Sequence, residues 1–157
     1  MKRVVSLCVM GLLTTVAACS GGSSAPSTVQ AQSGYSNSSL NGTYAYELVA
    51  PYDKNGGPFY SQIGTITFDG NGNVSAGATK SYFATSTQTC SYTFTGTYSV
   101  QTSGSGSASL SFTPNASQPS GCNGGTAQLA FEVAANGSTV QFVATDGNIY
   151  GGSATKQ

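Results

Sequence analysis

Catalysis by side chains needs a proton shuttle, or a nucleophile with a base beside it, and this 157-residue chain supplies little of either. It contains no histidine, so neither a Ser-His-Asp nor a Cys-His arrangement can be built. The only acid–base candidates are five carboxylates, Glu47, Asp53, Asp69, Glu132 and Asp146. Glycosidase-type hydrolysis needs two of them facing one another across a substrate. Glu47 sits between Tyr46 and Leu48, and Glu132 between Phe131 and Val133. In alternating strands both carboxylates therefore point away from the apolar face and into solvent. Asp69 and Asp146 each open a glycine-containing turn, and the strand count places those turns at opposite ends of the fold. The expectation is a protein that is not an enzyme, with no catalytic residues and no cofactor.

The run Asp69-Gly70-Asn71-Gly72-Asn73 also begins like a calcium-binding loop, with oxygen-bearing side chains at alternate positions. The pattern then departs: Val74 stands where the loop needs glycine, Lys80 where it needs a bidentate glutamate, and strands rather than helices flank it. A hairpin turn is expected here, and no metal site. Beyond the first three residues the cations are Lys54, Lys80 and Lys156, so three positives face five carboxylates and the net charge is about −2. Three scattered lysines make no basic stripe, which excludes nucleic acid as a partner. Only 6% of the chain is charged, so solubility rests on hydroxyl and amide groups.

Strands must position whatever site exists, because from Leu40 onward the apolar period is two and helical spacing is absent. Over Cys90 to Gln101, Tyr92, Phe94, Gly96, Tyr98 and Val100 share one face, while Ser91, Thr93, Thr95, Thr97 and Ser99 share the other. Gly- and Asn-rich turns at 69–73, 103–106, 136–137 and 146–148 separate such runs. The pattern predicts eight strands, at about 43–50, 61–69, 73–84, 90–101, 106–113, 125–134, 138–145 and 148–155. The connections are short and the strand number is even, which predicts an all-β fold: an antiparallel up-and-down meander forming a closed or nearly closed barrel. The alternative is a β-sandwich, whose Greek-key crossovers need longer connections. Gly64, Gly77, Gly96 and Gly151 fall within strands, where a barrel needs bends or close backbone approach.

The connectivity assigns ends. The start of the first strand, the turns near 70, 104 and 136, and the C-terminus share one end; the segments 51–60, 85–89 and 114–124 and the turn at 146 share the other. Tyr44, Tyr46, Phe68, Tyr92, Phe94, Tyr98, Phe112, Phe131 and Phe142 are expected to fill the interior. A barrel of this size either packs its own side chains inside or holds one small ligand.

The N-terminus carries an address. Lys2 and Arg3 form a positive region, Val4 to Val16 a short apolar stretch, and Ala17-Ala18 the small residues before a signal-peptidase cut. The run Val16-Ala17-Ala18-Cys19 resembles the lipobox of bacterial lipoproteins, in which the cysteine thiol receives a diacylglycerol and becomes the first mature residue. The resemblance implies a signal peptide over 1–18, lipidation of Cys19 and an acyl anchor in a membrane. Ser20 stands where Gram-negative members use aspartate as a signal for retention at the inner membrane, so the implied location is the outer membrane, on its periplasmic face or at the cell surface. Residues 19–39, rich in Ser, Gly, Ala and Gln, read as a poorly ordered tether, and 40–157 as the barrel domain. With Cys8 lost in the leader and Cys19 acylated, Cys90 and Cys122 are left to form one disulfide in an oxidising compartment. By the chain-entropy model a loop of that length stabilises by roughly 3.5–4 kcal/mol.

Residues 40–157, with their Gly-Thr-Tyr and Asp-Gly-Asn-Gly elements, resemble uncharacterised small β-barrel surface lipoproteins of Gram-negative bacteria, some of them antigens. That likeness implies a non-enzymatic display or binding domain, with an unidentified protein as partner. In that role Tyr52, Asp53, Lys54, Phe59 and Tyr60, in the first long loop, are the expected contacts. The alternative is a carrier of a small apolar ligand. Gly42-Thr43-Tyr44 resembles the Gly-X-Trp opening of lipocalins and Gly96-Thr97-Tyr98 is similar to the avidin pattern, although the chain has no tryptophan.

Overall fold

A computed structural model describes residues 34–52, 60–84 and 88–157. The strands are β1 (Asn41–Tyr52), β2 (Tyr60–Asp69), β3 (Asn73–Phe83), β4 (Thr89–Val100), β5 (Ser105–Pro114), β6 (Gly125–Ala134), β7 (Thr139–Ala144) and β8 (Ile149–Lys156). Each pairs antiparallel with the strand before it, and β8 pairs antiparallel with β1, so the sheet closes into an up-and-down barrel. Closure rules out the sandwich and leaves no edge unpaired among the described strands. The eight expected strands coincide with these to within two residues at either end.

Strand β3 departs from simple alternation. Thr67 faces Ala76 but Phe68 faces Val74, and on the other side Val74 faces Gly96 while Gly77 faces Phe94. One extra residue is therefore accommodated at Ser75–Ala76, a bulge that re-aims the strand. Before it Val74 points inward; after it the buried positions are Thr79 and Ser81.

The end at which residue 34 arrives is closed. Residues 34–39, expected in the tether from their composition, are instead part of the folded unit. Their polar groups serve the barrel backbone: the Tyr35 amide donates to the Thr102 carbonyl (3.1 Å), and the Asn37 side-chain oxygen accepts from the Val100 amide (2.8 Å). A short 3-10 turn, Asn37–Ser39, then delivers Leu40, which is fully buried. Burying such a side chain contributes about 1.5–3 kcal/mol. The Tyr98 hydroxyl donates to the Leu40 carbonyl (2.8 Å) and lies 3.0 Å from that of Asn37. Tyr44, also fully buried, donates its hydroxyl to the Gly137 carbonyl. Phe68 packs edge-on against both rings, at centroid distances of 5.3 Å to Tyr44 and 4.9 Å to Tyr98. Gly137 has φ of 89°, and a Cβ there would lie 2.0 Å from the Ser39 carbonyl oxygen, so this turn admits no side chain.

At the opposite end Cys90 and Cys122 form the expected disulfide, with Cα atoms 5.6 Å apart. The bridge holds segment 115–124 against the start of β4. Hydrogen bonds reinforce it: the Ser91 amide donates to the Gln118 side chain (2.8 Å), the Gln88 amide group to the Ser120 carbonyl (2.9 Å), and the Asn115 amide to the Ser91 carbonyl (3.0 Å).

Two stability outcomes follow from these contacts. Tyr98→Phe leaves the Leu40 carbonyl without its buried donor and should lower unfolding free energy in urea by about 1–2 kcal/mol; an unchanged midpoint would show that the closed end does not depend on this bond. Replacing Cys90 and Cys122 together by serine should cost about 2–5 kcal/mol, seen as a lower melting temperature that reductant no longer changes. Equal melting of the two proteins would contradict a stabilising bridge.

Candidate functional site

The inward faces of the strands surround a cavity of about 640 Å³. Phe68 forms part of its floor, since this ring touches the cavity on one side and the packed Tyr44 and Tyr98 on the other. Neither Tyr44, Tyr98 nor Leu40 lines the space, whereas Asn123, Gly124, Gly125 and Asn148 do. The cavity therefore extends to the end that carries the disulfide. The expectation of an interior filled by its aromatic rings is corrected: one half is packed and the other is hollow.

Glycines help to keep it hollow. A Cβ on Gly77 would lie 2.2 Å from atoms of the Phe94 ring, and one on Gly106 would lie 2.3 Å from the Phe131 ring. Each ring thus lies against the wall, in the place of a neighbouring side chain, rather than reaching to the centre. In register, Gly77 pairs with Phe94 and Gly106 with Phe131. Tyr46 meets rings on two other strands, with centroids 6.2 Å from Phe94 and 6.3 Å from Phe142 in edge-to-face arrangements. Phe94 and Phe112 stack at 4.8 Å beside it.

Strands β1 to β3 bring Tyr46, Tyr60, Gln62 and Ser81 to the cavity, and Tyr92, Thr126 and Tyr150 on other strands, with Asn123 and Asn148 in connections, add further polar groups. Tyr46 and Thr79 both face Gly64, and in the adjacent row Gln62 faces Ser81. The Gln62 amide donates to the Ser81 hydroxyl (2.7 Å), and Thr79 donates to the Ile63 carbonyl (3.0 Å) while also hydrogen-bonding the Tyr46 phenol. Burial, reinforced by the nearby Tyr60, pushes the Tyr46 phenol up to about 12 against the opposing Thr79 bond, so it stays neutral at any physiological pH. Burial likewise raises Tyr150, with the negative Asp146 adding to the effect. Partial burial alone would raise Asp146. The amides of Asn148 (3.1 Å) and Gln128 (3.3 Å), with the Asn148 side chain and the Tyr150 hydroxyl (3.4 Å), outweigh it and hold the carboxyl below its ordinary range.

Among the described residues no charged side chain lines the cavity. Glu47 and Glu132 are exposed on the outer face, where Glu132 accepts from Ser105 (2.7 Å). Asp69 spends its carboxylate on its own turn, accepting from the Asn71 amide (2.7 Å), the Asn73 amide (2.9 Å) and the Asn73 side chain (2.7 Å). These bonds hold its pKa below the ordinary value, the Asn73 side chain first.

Of the five loop residues expected to make contacts, Tyr60 is half-buried, lines the cavity and packs on Phe83 with centroids 5.6 Å apart. The backbone of Tyr52 ends β1 opposite Ile149. The Tyr52 side chain, Asp53, Lys54 and Phe59 lie outside the described residues, as does Cys19. Gln62, Ser81 and Tyr150 line the cavity, and buried Thr79 bonds Tyr46 from outside the lining; none of the four had been singled out. Gln62 was within reach, since it shares the inward phase of Ile66 and Phe68; Ser81 was not, because the β3 bulge changes the phase before it.

No protein-family model matches the chain, and no curated protein sequence matches it. Among solved structures the chain is similar to a de novo designed fluorescence-activating β-barrel, with 13% identity and a TM-score of 0.44, over 75% of this chain and 94% of that one.

Proposed function

We propose that the barrel is a non-enzymatic binding domain that holds one small, largely apolar molecule in its interior, at the cell envelope, where an acylated Cys19 anchors it. The observation that carries this reading is the 640 Å³ cavity walled by aromatic and aliphatic side chains, within the roughly 300–1,000 Å³ range of small-molecule sites. A hollow half of a core forgoes dispersion contacts that packing would supply, so an interior of this kind favours an occupant. The lipobox residues Val16 to Cys19 support the address.

Display to a protein partner is the second reading, favoured by the outer surface. Val49, Ile63, Tyr82, Val143 and Ile149 are all exposed, on the adjacent strands β7, β8, β1, β2 and β3. Val143, Gly151, Val49, Ser61 and Tyr82 follow one another in register as a single row. Apolar groups gathered on one face suit an interface.

The ligand reading is tested by titrating the purified protein with N-phenylnaphthylamine, an uncharged fluorophore that brightens in apolar surroundings. Saturable binding of one molecule per chain is expected. Ala127→Phe, which puts a ring into the cavity from β6, should weaken binding by about ten-fold or more while the far-ultraviolet spectrum stays that of the parent. Equal binding by a folded variant would remove the cavity as the site. For the address, mass spectrometry of the mature product should find an N-terminal Cys19 with attached acyl chains, and Cys19→Ala should release the protein from membranes; a mature chain beginning elsewhere would overturn it.

A further inference from the structure

The cavity is two-sided, and its two sides restrict what it can hold. The wall made by β2 and β3, with Tyr46 of β1 beside it, presents the phenols of Tyr46 and Tyr60, the Gln62 carboxamide and the Ser81 hydroxyl. Across the barrel, β5 to β7 present Leu110, Phe112, Leu129, Phe131, Val140 and Phe142, with Thr126 of β6 the one polar side chain that those strands add to the lining. In a closed eight-stranded barrel β2 and β3 stand opposite β6 and β7, so a molecule inside meets most of the buried hydrogen-bonding groups on one flank and mostly hydrocarbon on the other.

The polar flank is also uncharged. A buried carboxylate, phosphate or ammonium would have no counter-charge among the described lining residues, and an unpaired buried charge is among the most costly things a protein interior can contain. Ionised Asp146, bonded to Tyr150 at the end of the cavity, adds repulsion toward an entering anion. A neutral polar group meets no such penalty. The Tyr46 phenol hydrogen-bonds Thr79, and with one hydroxyl hydrogen and two lone pairs in its inventory it can take a further partner. The Gln62 amide donates one hydrogen to Ser81 and has a second hydrogen and an acceptor oxygen in its inventory. A ligand hydroxyl, which both donates and accepts, complements this pair.

Resting on the reading that the cavity takes a ligand, we propose that the ligand class is uncharged amphiphiles: an apolar body laid against β5 to β7, and a single hydroxyl or amide group hydrogen-bonded at Gln62 and Tyr46. Fatty acids and cationic amphiphiles of the same length are selected against.

The test is a competition on the mature protein loaded with N-phenylnaphthylamine, at about pH 7.5 where carboxylic acids are ionised. The competitors are decanol, decanoate and decyltrimethylammonium, which share a chain length and differ in head group. Decanol should displace the fluorophore at concentrations about ten-fold or more below either charged competitor. Gln62→Leu, and independently Tyr46→Phe, should each weaken decanol by about five-fold relative to the fluorophore's affinity measured on the same variant. Failure of the fluorophore to bind at all would bring down the cavity reading and this inference with it. Fluorophore binding with decanoate or the ammonium competing as well as decanol, with none of the three competing, or with decanol unaffected by both substitutions, would overturn the ligand class alone.

Discussion

A closed cylinder of eight strands encloses an interior whose width is set by strand number and stagger, and everything else in this molecule follows from how that fixed space is shared along the axis. Toward the end where residue 34 arrives, the space is taken by Leu40, Tyr44, Phe68 and Tyr98, with residues 35–39 folded over them. The hydroxyls of Tyr44 and Tyr98 find backbone carbonyls there, so these rings are buried without leaving a polar group unpaired. Concentrating tight packing at one end allows the other end to be hollow in a domain that must still be stable. The disulfide compensates at that end, tying the longest described connection, 115–124, to β4 where the packed core no longer reaches.

Within the hollow half, polarity is distributed around the circumference. The β3 bulge produces this, because one extra residue turns Thr79 and Ser81 inward where unbroken alternation would have turned Ala78 and Lys80. Without the bulge a lysine would face the interior. With it, the wall offers neutral hydrogen-bonding groups to Tyr46 and Gln62, and Lys80 is exposed outside. A one-residue irregularity therefore sets the chemistry of the cavity as well as the curvature of the wall.

The architecture was legible because two local signals agreed. Alternation in stretches such as Cys90 to Gln101 named the inward side chains, and Gly-Asn turns such as Asp69 to Asn73 marked where the chain reverses. The pairing of Cys90 with Cys122 agrees with both residues falling at one end of a meander. Three things were not legible. Residues 34–39 have the composition of a linker, and their order comes from bonds to Val100 and Thr102, more than sixty residues away in sequence. The bulge has no marker in Ser75-Ala76. The void depends on whether rings point to the axis or lie on the wall, and this is decided by which residue stands beside each one: Gly77 beside Phe94 and Gly106 beside Phe131, pairings that only the register reveals.

The claim that the interior, and not the outer face, is the binding surface is tested most directly by isotope-filtered NMR on labelled protein saturated with N-phenylnaphthylamine. Nuclear Overhauser contacts from the ligand should appear at the methyl groups of Leu110, Ala127 and Val140, which line the cavity, and be absent at those of Val49, Ile63 and Val143, which are exposed outside. Contacts confined to the outer set would contradict the account and leave the barrel as a scaffold for its surface.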